Sequence, residues 1–200
     1  MKKLYRITVG PLGVNCYVMG DLETRQAVIF DPGAEFGRLQ ELLKKEGYTP
    51  IAVLLTHAHF DHIGALPELA RQYDIPVWCA EGDRELYESP ENGMPPWYPA
   101  VKGLPALSQE RCDFGYQLIA TPGHTPGGVS YYFPAEGIVL TGDTLFAGAV
   151  GRTDFPGGDE EQLMSSIMKK LFALPPTTKV YPGHGFQTTI GTEKMDPYFA

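Results

Sequence analysis

The stretch "IAVLLTHAHFDH", residues 51–62, constrains this chain more than any other. Five apolar residues read as a strand covered on both faces, the kind found inside an α/β arrangement. Directly behind them stand three of the chain's five histidines, His57, His59 and His62, with Asp61 among them. A buried strand that ends in a cluster of imidazoles and a carboxylate implies a site at the strand end, where loops converge in α/β sheets.

The other two histidines stand in the same kind of place. His124 follows the strand-like "QLIA" in "ATPGHT", and His184 follows "KVY" in "VYPGHG". Asp143 ends "GIVLTGD" in the same way. Imidazole nitrogens are good ligands for zinc and iron, and a carboxylate can bridge two ions. Seven such groups exceed the needs of one tetrahedral ion and suit two. His57 and His59, two apart in extended backbone, emerge on the same side and can grip one ion. Asp61 and His62 follow as the chain turns into a helix, so they can address a neighbouring ion. Taken singly, each "PGH" or "GD" is better explained as a turn; the cluster is what points to metal.

The rest of the chain alternates strands and helices in two halves. "RITVG", "NCYVMG" and "QAVIFDPG" read as strands, the last closed by an Asp-Pro-Gly turn. "AEFGRLQELLKKEG" carries Phe36, Leu39, Leu42 and Leu43 as a helical stripe and stops at Gly47. "GALPELARQY" and "EGDRELYE" read as helical, with the short strand "PVWC" between them. "GGVSYYF" is a further strand, and "DEEQLMSSIMKKLFAL" an amphipathic helix. Residues 89–109 form a proline-rich loop in which Met94, Trp97 and Tyr98 either wall a pocket or pack the loop down. With no linker or short-period repeat, residues 1–200 are expected to be one domain.

Bulk properties exclude several classes. A formal charge of -8 speaks against a nucleic-acid partner, which would want a basic face. No apolar run of membrane-spanning length exists, and "MKKLYRITVG" lacks the apolar core of a signal peptide. Cys16, Cys79 and Cys112 share no metal-like or disulfide spacing. The expected setting is cytoplasmic.

"HAHFDH", "TPGHTPG", "LTGDTLF" and "YPGHG" together resemble the metallo-β-lactamase superfamily, whose H-x-H-x-D-H signature stands unbroken at residues 57–62. The resemblance runs from "GPLGVNCYV" to "TTIGTEKMDP" and is strongest to the short, single-domain bacterial branch of the type II glyoxalases, or hydroxyacylglutathione hydrolases. It implies an α/β fold, a four-layer α/β/β/α sandwich with the metals at one edge of two sheets. It also implies that His57, His59 and His124 hold one divalent ion, that Asp61, His62 and His184 hold a second, and that Asp143 bridges them. The ions would be zinc first, with iron or manganese as the other candidates. They would activate a shared water that attacks a small anionic thioester such as S-lactoylglutathione. Asp61 would orient that water as well as ligate, and Asp31 in the "FDPG" turn would fix a ligand's second nitrogen or simply form the turn. Arg152 in "GRTDF" lies where the glyoxalases carry a basic residue that contacts glutathione; an ordinary salt bridge is the equal alternative. Class B β-lactamases generally place a cysteine where Asp143 stands, which argues against antibiotic hydrolysis. The competing reading is a mononuclear iron persulfide dioxygenase of the same fold, which uses residues matching His57, His124 and Asp143. A helical C-terminal domain found in full-length glyoxalases has no counterpart in these 200 residues.

Overall fold

The strand expected before the histidine cluster forms, and it lies inside a mixed sheet. The computed structural model describes residues 1–199, which divide into two compact units. The first comprises residues 1–79 and 84–114, and the second residues 80–83 and 115–199.

The first unit contains β1 (Lys2–Val9), β2 (Val14–Asp21), β3 (Gln26–Phe30), α1 (Phe36–Glu46), β4 (Thr49–Leu54), α2 (Phe60–Ile63), α3 (Leu66–Gln72), β5 (Val77–Trp78) and α4 (Arg84–Glu88). Its sheet runs β1-β2-β3-β4-β5. β1, β2 and β3 pair antiparallel, while β3, β4 and β5 are parallel. The parallel pairs require crossovers, and α1 and α3 supply them. α1 turns Leu39 and Leu43 to the core, half-buries Phe36 and Leu42, and ends at Gly47 in the left-handed region, φ 69°. That is the stripe and the stop read from the sequence. Val18, Ile29, Val53, Leu55, Leu66 and Leu69 make the centre of this core; full burial of each such side chain is worth about 2 kcal/mol.

The second unit contains β6 (Gln117–Ala120), β7 (Val129–Phe133), β8 (Ile138–Gly142), β9 (Leu145–Phe146), β10 (Ala149–Val150), α5 (Glu160–Lys169), β11 (Lys179–Pro182), β12 (Thr188–Thr189) and α6 (Ile190–Lys194). Its sheet runs β12-β11-β8-β7-β6. α5 is capped by Asp159, whose side chain accepts from Gln162 N, and it presses Leu163 and Ile167 onto Tyr132, Val139 and Val180. The small β9–β10 hairpin, β12 and α6 carry too few residues for periodicity to announce them.

The proline-rich segment is built rather than loose. Asn92 is buried and closes its base, donating to Tyr87 O and accepting from Val101 N. Met94 and Tyr98 bridge at its tip, and the Tyr98 ring stacks on Phe60 at 5.0 Å. Trp97 is left 73% exposed. The packing reading holds for Tyr98 and fails for Trp97.

Candidate metal centre

In the first unit, β3 and β4 are parallel neighbours, so their C-terminal ends share one edge of the sheet. Asp31 follows β3, and Thr56 to His62 follow β4. Asp31 adopts φ 50°, a left-handed conformation that aspartate tolerates better than most residues. This turn aims its buried carboxylate across at the β4 end. There it accepts from Thr56 N at 2.8 Å and from Thr56 Oγ1 at 2.6 Å. A hydroxyl has one proton, and the short contact to a carboxylate takes it. Thr56 Oγ1 is then an acceptor toward His57 Nδ1, 3.1 Å away. In the neutral His57 ring the proton therefore sits on Nδ1, and the lone pair points out from Nε2.

Asp31 Oδ2 also stands 3.0 Å from Nδ1 of the fully buried His62. One carboxylate thus backs two imidazoles, His57 through Thr56 and His62 by its own oxygen. The His57 ring centre lies 4.9 Å from that of His59 and 4.0 Å from that of His62. His62 Nε2 is 3.9 Å from Asp61 Oδ2. Gly33 makes the arrangement possible: a Cβ there would fall 1.6 Å from the carbonyl oxygen of Asp61.

In the second unit, β6 and β8 both run antiparallel to β7, and β11 runs parallel to β8. All three consequently end at the same edge, and each is followed by one candidate ligand: His124, Asp143 and His184. Asp143 Oδ2 lies 3.7 Å from His124 Nε2 and 3.4 Å from His184 Nε2. These separations are long for hydrogen bonds. They match co-ligands, since two tetrahedral zinc ligands each about 2.1 Å from the ion stand about 3.4 Å apart. The carboxylate between two imidazoles is placed as a bridging ligand would be.

The back of His124 is fixed as firmly as that of His57. Its Nδ1 is 2.7 Å from the carbonyl oxygen of Arg152. A carbonyl only accepts, so Nδ1 carries the proton and Nε2 keeps its lone pair in the neutral ring. Gly151 lets that strand of chain approach; a Cβ on it would lie 1.8 Å from Asp143 O and 3.3 Å from His124 Nδ1. A line of buried hydroxyls ties the same loops together, Thr144 Oγ1 donating to Thr121 Oγ1 at 3.1 Å and Thr121 pairing with Ser130 Oγ at 3.1 Å. The donor set fits divalent metal: imidazoles presenting Nε2, with carboxylates beside them at co-ligand spacing.

Arg152 itself points elsewhere. Its guanidinium forms two 2.6 Å hydrogen bonds to Asp154 and lies over the Phe155 ring. That pair holds the Asp154 carboxyl down at about 2. The ordinary salt bridge is thus present, and the residue's contact with the site runs through its backbone oxygen. Cys16 and Cys79 belong to the first core, and burial pushes the Cys16 thiol up, away from thiolate chemistry. Sequence reasoning missed Thr56, the Arg152 carbonyl and Thr121. The threonine directly before "HAH" was a visible signal for the first; a backbone oxygen leaves none.

Comparison with known proteins agrees with this geometry. The family model of the metallo-beta-lactamase superfamily matches residues 9–184. A probable metallo-hydrolase, YqgX, of Bacillus subtilis is 40% identical, with 96% of this chain and 94% of that protein covered. Hydroxyacylglutathione hydrolase GloC of Haemophilus influenzae is 39% identical, with 92% of each covered. Among solved structures, BLEG-1 B3 metallo-beta-lactamase superposes with a TM-score of 0.90 at 40% identity, covering 98% of this chain and 99% of that one. TTHA1623 in a di-iron-bound form gives 0.88 at 41% identity, covering 97% and 99%. The chain belongs to the metallo-beta-lactamase superfamily and has its α/β fold, of mixed sheets packed with helices. Within that class it stands among the metallo-hydrolases, with a histidine and aspartate set compatible with two metal ions.

Proposed function

We propose that this chain is a thioester hydrolase of the cytoplasm that uses two metal ions and acts on small anionic S-(2-hydroxyacyl) thioesters such as S-lactoylglutathione. The observation that carries the reading is the fixing of Nδ1 on His57, by a Thr56 hydroxyl whose own proton goes to Asp31, and on His124, by the Arg152 carbonyl, which leaves the Nε2 lone pair of both rings for a metal. We assign His57, His59 and His124 to one ion, Asp61, His62 and His184 to the other, and Asp143 to both. On this reading the two units are halves of one catalytic domain. Zinc is the first candidate. The di-iron form of TTHA1623 supports iron as an alternative, and manganese is the third.

When bound, such a pair supplies a Lewis acid for the carbonyl and an activated water. The chain's own part is to present and orient. Asp61, partly open to solvent at the start of α2, would hold a water proton and direct its lone pair at the thioester carbon. Asp31 and the Arg152 carbonyl keep the imidazoles from turning. Arg152 would meet the substrate's carboxylate by exchanging Asp154 for it, which its exposed position allows. The Haemophilus relative, a hydroxyacylglutathione hydrolase, supports the substrate class.

The likeness to BLEG-1, a B3 metallo-beta-lactamase, favours a second reading, hydrolysis of a β-lactam amide by the same donors. Metal counting on purified protein, with steady-state rates on S-lactoylglutathione, on a β-lactam and on a persulfide with oxygen uptake, decides among them. Near two ions per chain and chelator-sensitive thioester hydrolysis are expected. β-Lactam turnover at a higher kcat/KM would favour the second reading, and one iron per chain with sulfite production would indicate the dioxygenase.

A further inference from the structure

The stretch "EGDRELYE" reads as plain helix in the sequence, yet Asp83 within it is completely buried. It stands at the end of a short 3-10 turn just before α4 and is grouped with the second unit. Its Oδ2 accepts from Thr125 Oγ1 at 2.8 Å and its Oδ1 from Gly127 N at 2.6 Å. The two backbones touch: a Cβ on Gly127 would lie 2.3 Å from Asp83 N, and one on Gly82 would lie 2.9 Å from Gly127 Cα. Thr125, which the carboxylate holds, is the residue after His124. Its own carbonyl accepts from Gly123 N and Gly128 N, so it organises the turn on both sides of that histidine.

Burying a carboxylate is costly unless hydrogen bonds compensate it. These two hydrogen bonds both go to the loop that carries His124. The ring of His124 is steered by the Arg152 carbonyl, and its backbone by Asp83. We propose that Asp83 is a positioning residue for His124, setting the affinity of the ion that His124 holds while leaving the other ion alone. The inference rests on the two-ion reading above.

The test is stepwise zinc uptake by the metal-free full-length protein, measured by competition with a chromophoric chelator, beside the thermal midpoint of the metal-free protein. Asp83→Ala removes both contacts and is expected to weaken one uptake step 10- to 100-fold, with the other unchanged within about threefold. Asp83→Asn can still accept from Gly127 N and donate to Thr125 Oγ1, so it should restore that step to within about fivefold. Thr125→Val keeps the volume and loses one contact, giving an intermediate loss; it also serves if Asp83→Ala fails to fold. Equal weakening of both steps, or a lowered midpoint with both steps intact, would overturn the proposal by making Asp83 a general brace. Should the parent take up a single ion, a 10- to 100-fold loss at that ion is expected, and no loss overturns the role. No uptake by the parent sinks the hydrolase reading itself, whereas normal uptake by Asp83→Ala and Thr125→Val sinks only the role of Asp83.

Discussion

The first unit draws four donors from six consecutive residues, whereas the second gathers three from the ends of three different strands. In the first, a single turn into α2 does the gathering, and one carboxylate, Asp31, backs two of the rings. In the second, no local segment suffices. Parallel alignment of β6, β8 and β11 brings the ends to one edge, and threonines, a carbonyl and a buried aspartate then hold the loops. A local cluster depends on a few strong contacts, and an assembled one on many weaker contacts spread along the chain.

The sharpest way to break that comparison is to delete the donor at the junction of the assembled set. Asp143→Asn is expected to lower kcat/KM on the order of 10³-fold, as chelation would, because on the proposed assignment a carboxylate shared by two ions is lost; retention of bound metal with full activity would contradict the assignment. Next comes Asp31→Asn, which is expected to weaken metal binding 10- to 100-fold and to affect both His57 and His62, measured by metal titration. Loss confined to a single ion would mean that the carboxylate backs one ring only. Smaller is Thr121→Val, which cuts the hydroxyl line at its middle. It is expected to cost about 1 kcal/mol in denaturant unfolding, with metal affinity reduced only a few-fold. Smallest is Arg152→Gln. The carbonyl that fixes His124 remains, so metal affinity should stay within about twofold; a rise in KM at constant kcat would identify the guanidinium as the substrate contact.

The same contrast explains which features the order of amino acids reveals by itself. "HAHFDH" is legible because its ligands are neighbours in the chain and follow an apolar strand. His124, Asp143 and His184 are legible only through repetition, each standing just past a run of strand-forming residues. Sheet order is not legible, since nothing in the sequence states that β7 separates β6 from β8. The alternation in two halves is legible, but the grouping of residues 80–83 with the second unit is not. Asp83 is hidden for a related reason. Its partners Thr125 and Gly127 lie far along the chain, and a carboxylate among "EGDRE" looks like one more surface charge. Asp31 is half-visible; its turn is expected, but its grip on Thr56 depends on the parallel pairing of β3 and β4.

The proline-rich segment has a practical consequence. This chain has two tryptophans; Trp78 is half-buried with the Arg111 guanidinium over its ring, and Trp97 is at a loop tip whose next residue stacks on the phenylalanine of the histidine motif. Replacing Trp78 with phenylalanine leaves a lone tryptophan at that tip, exposed to water and next in the chain to the residue that stacks on the motif. The molecule thereby carries its own optical probe, whose colour and quenching follow events at the histidine turn without any added label.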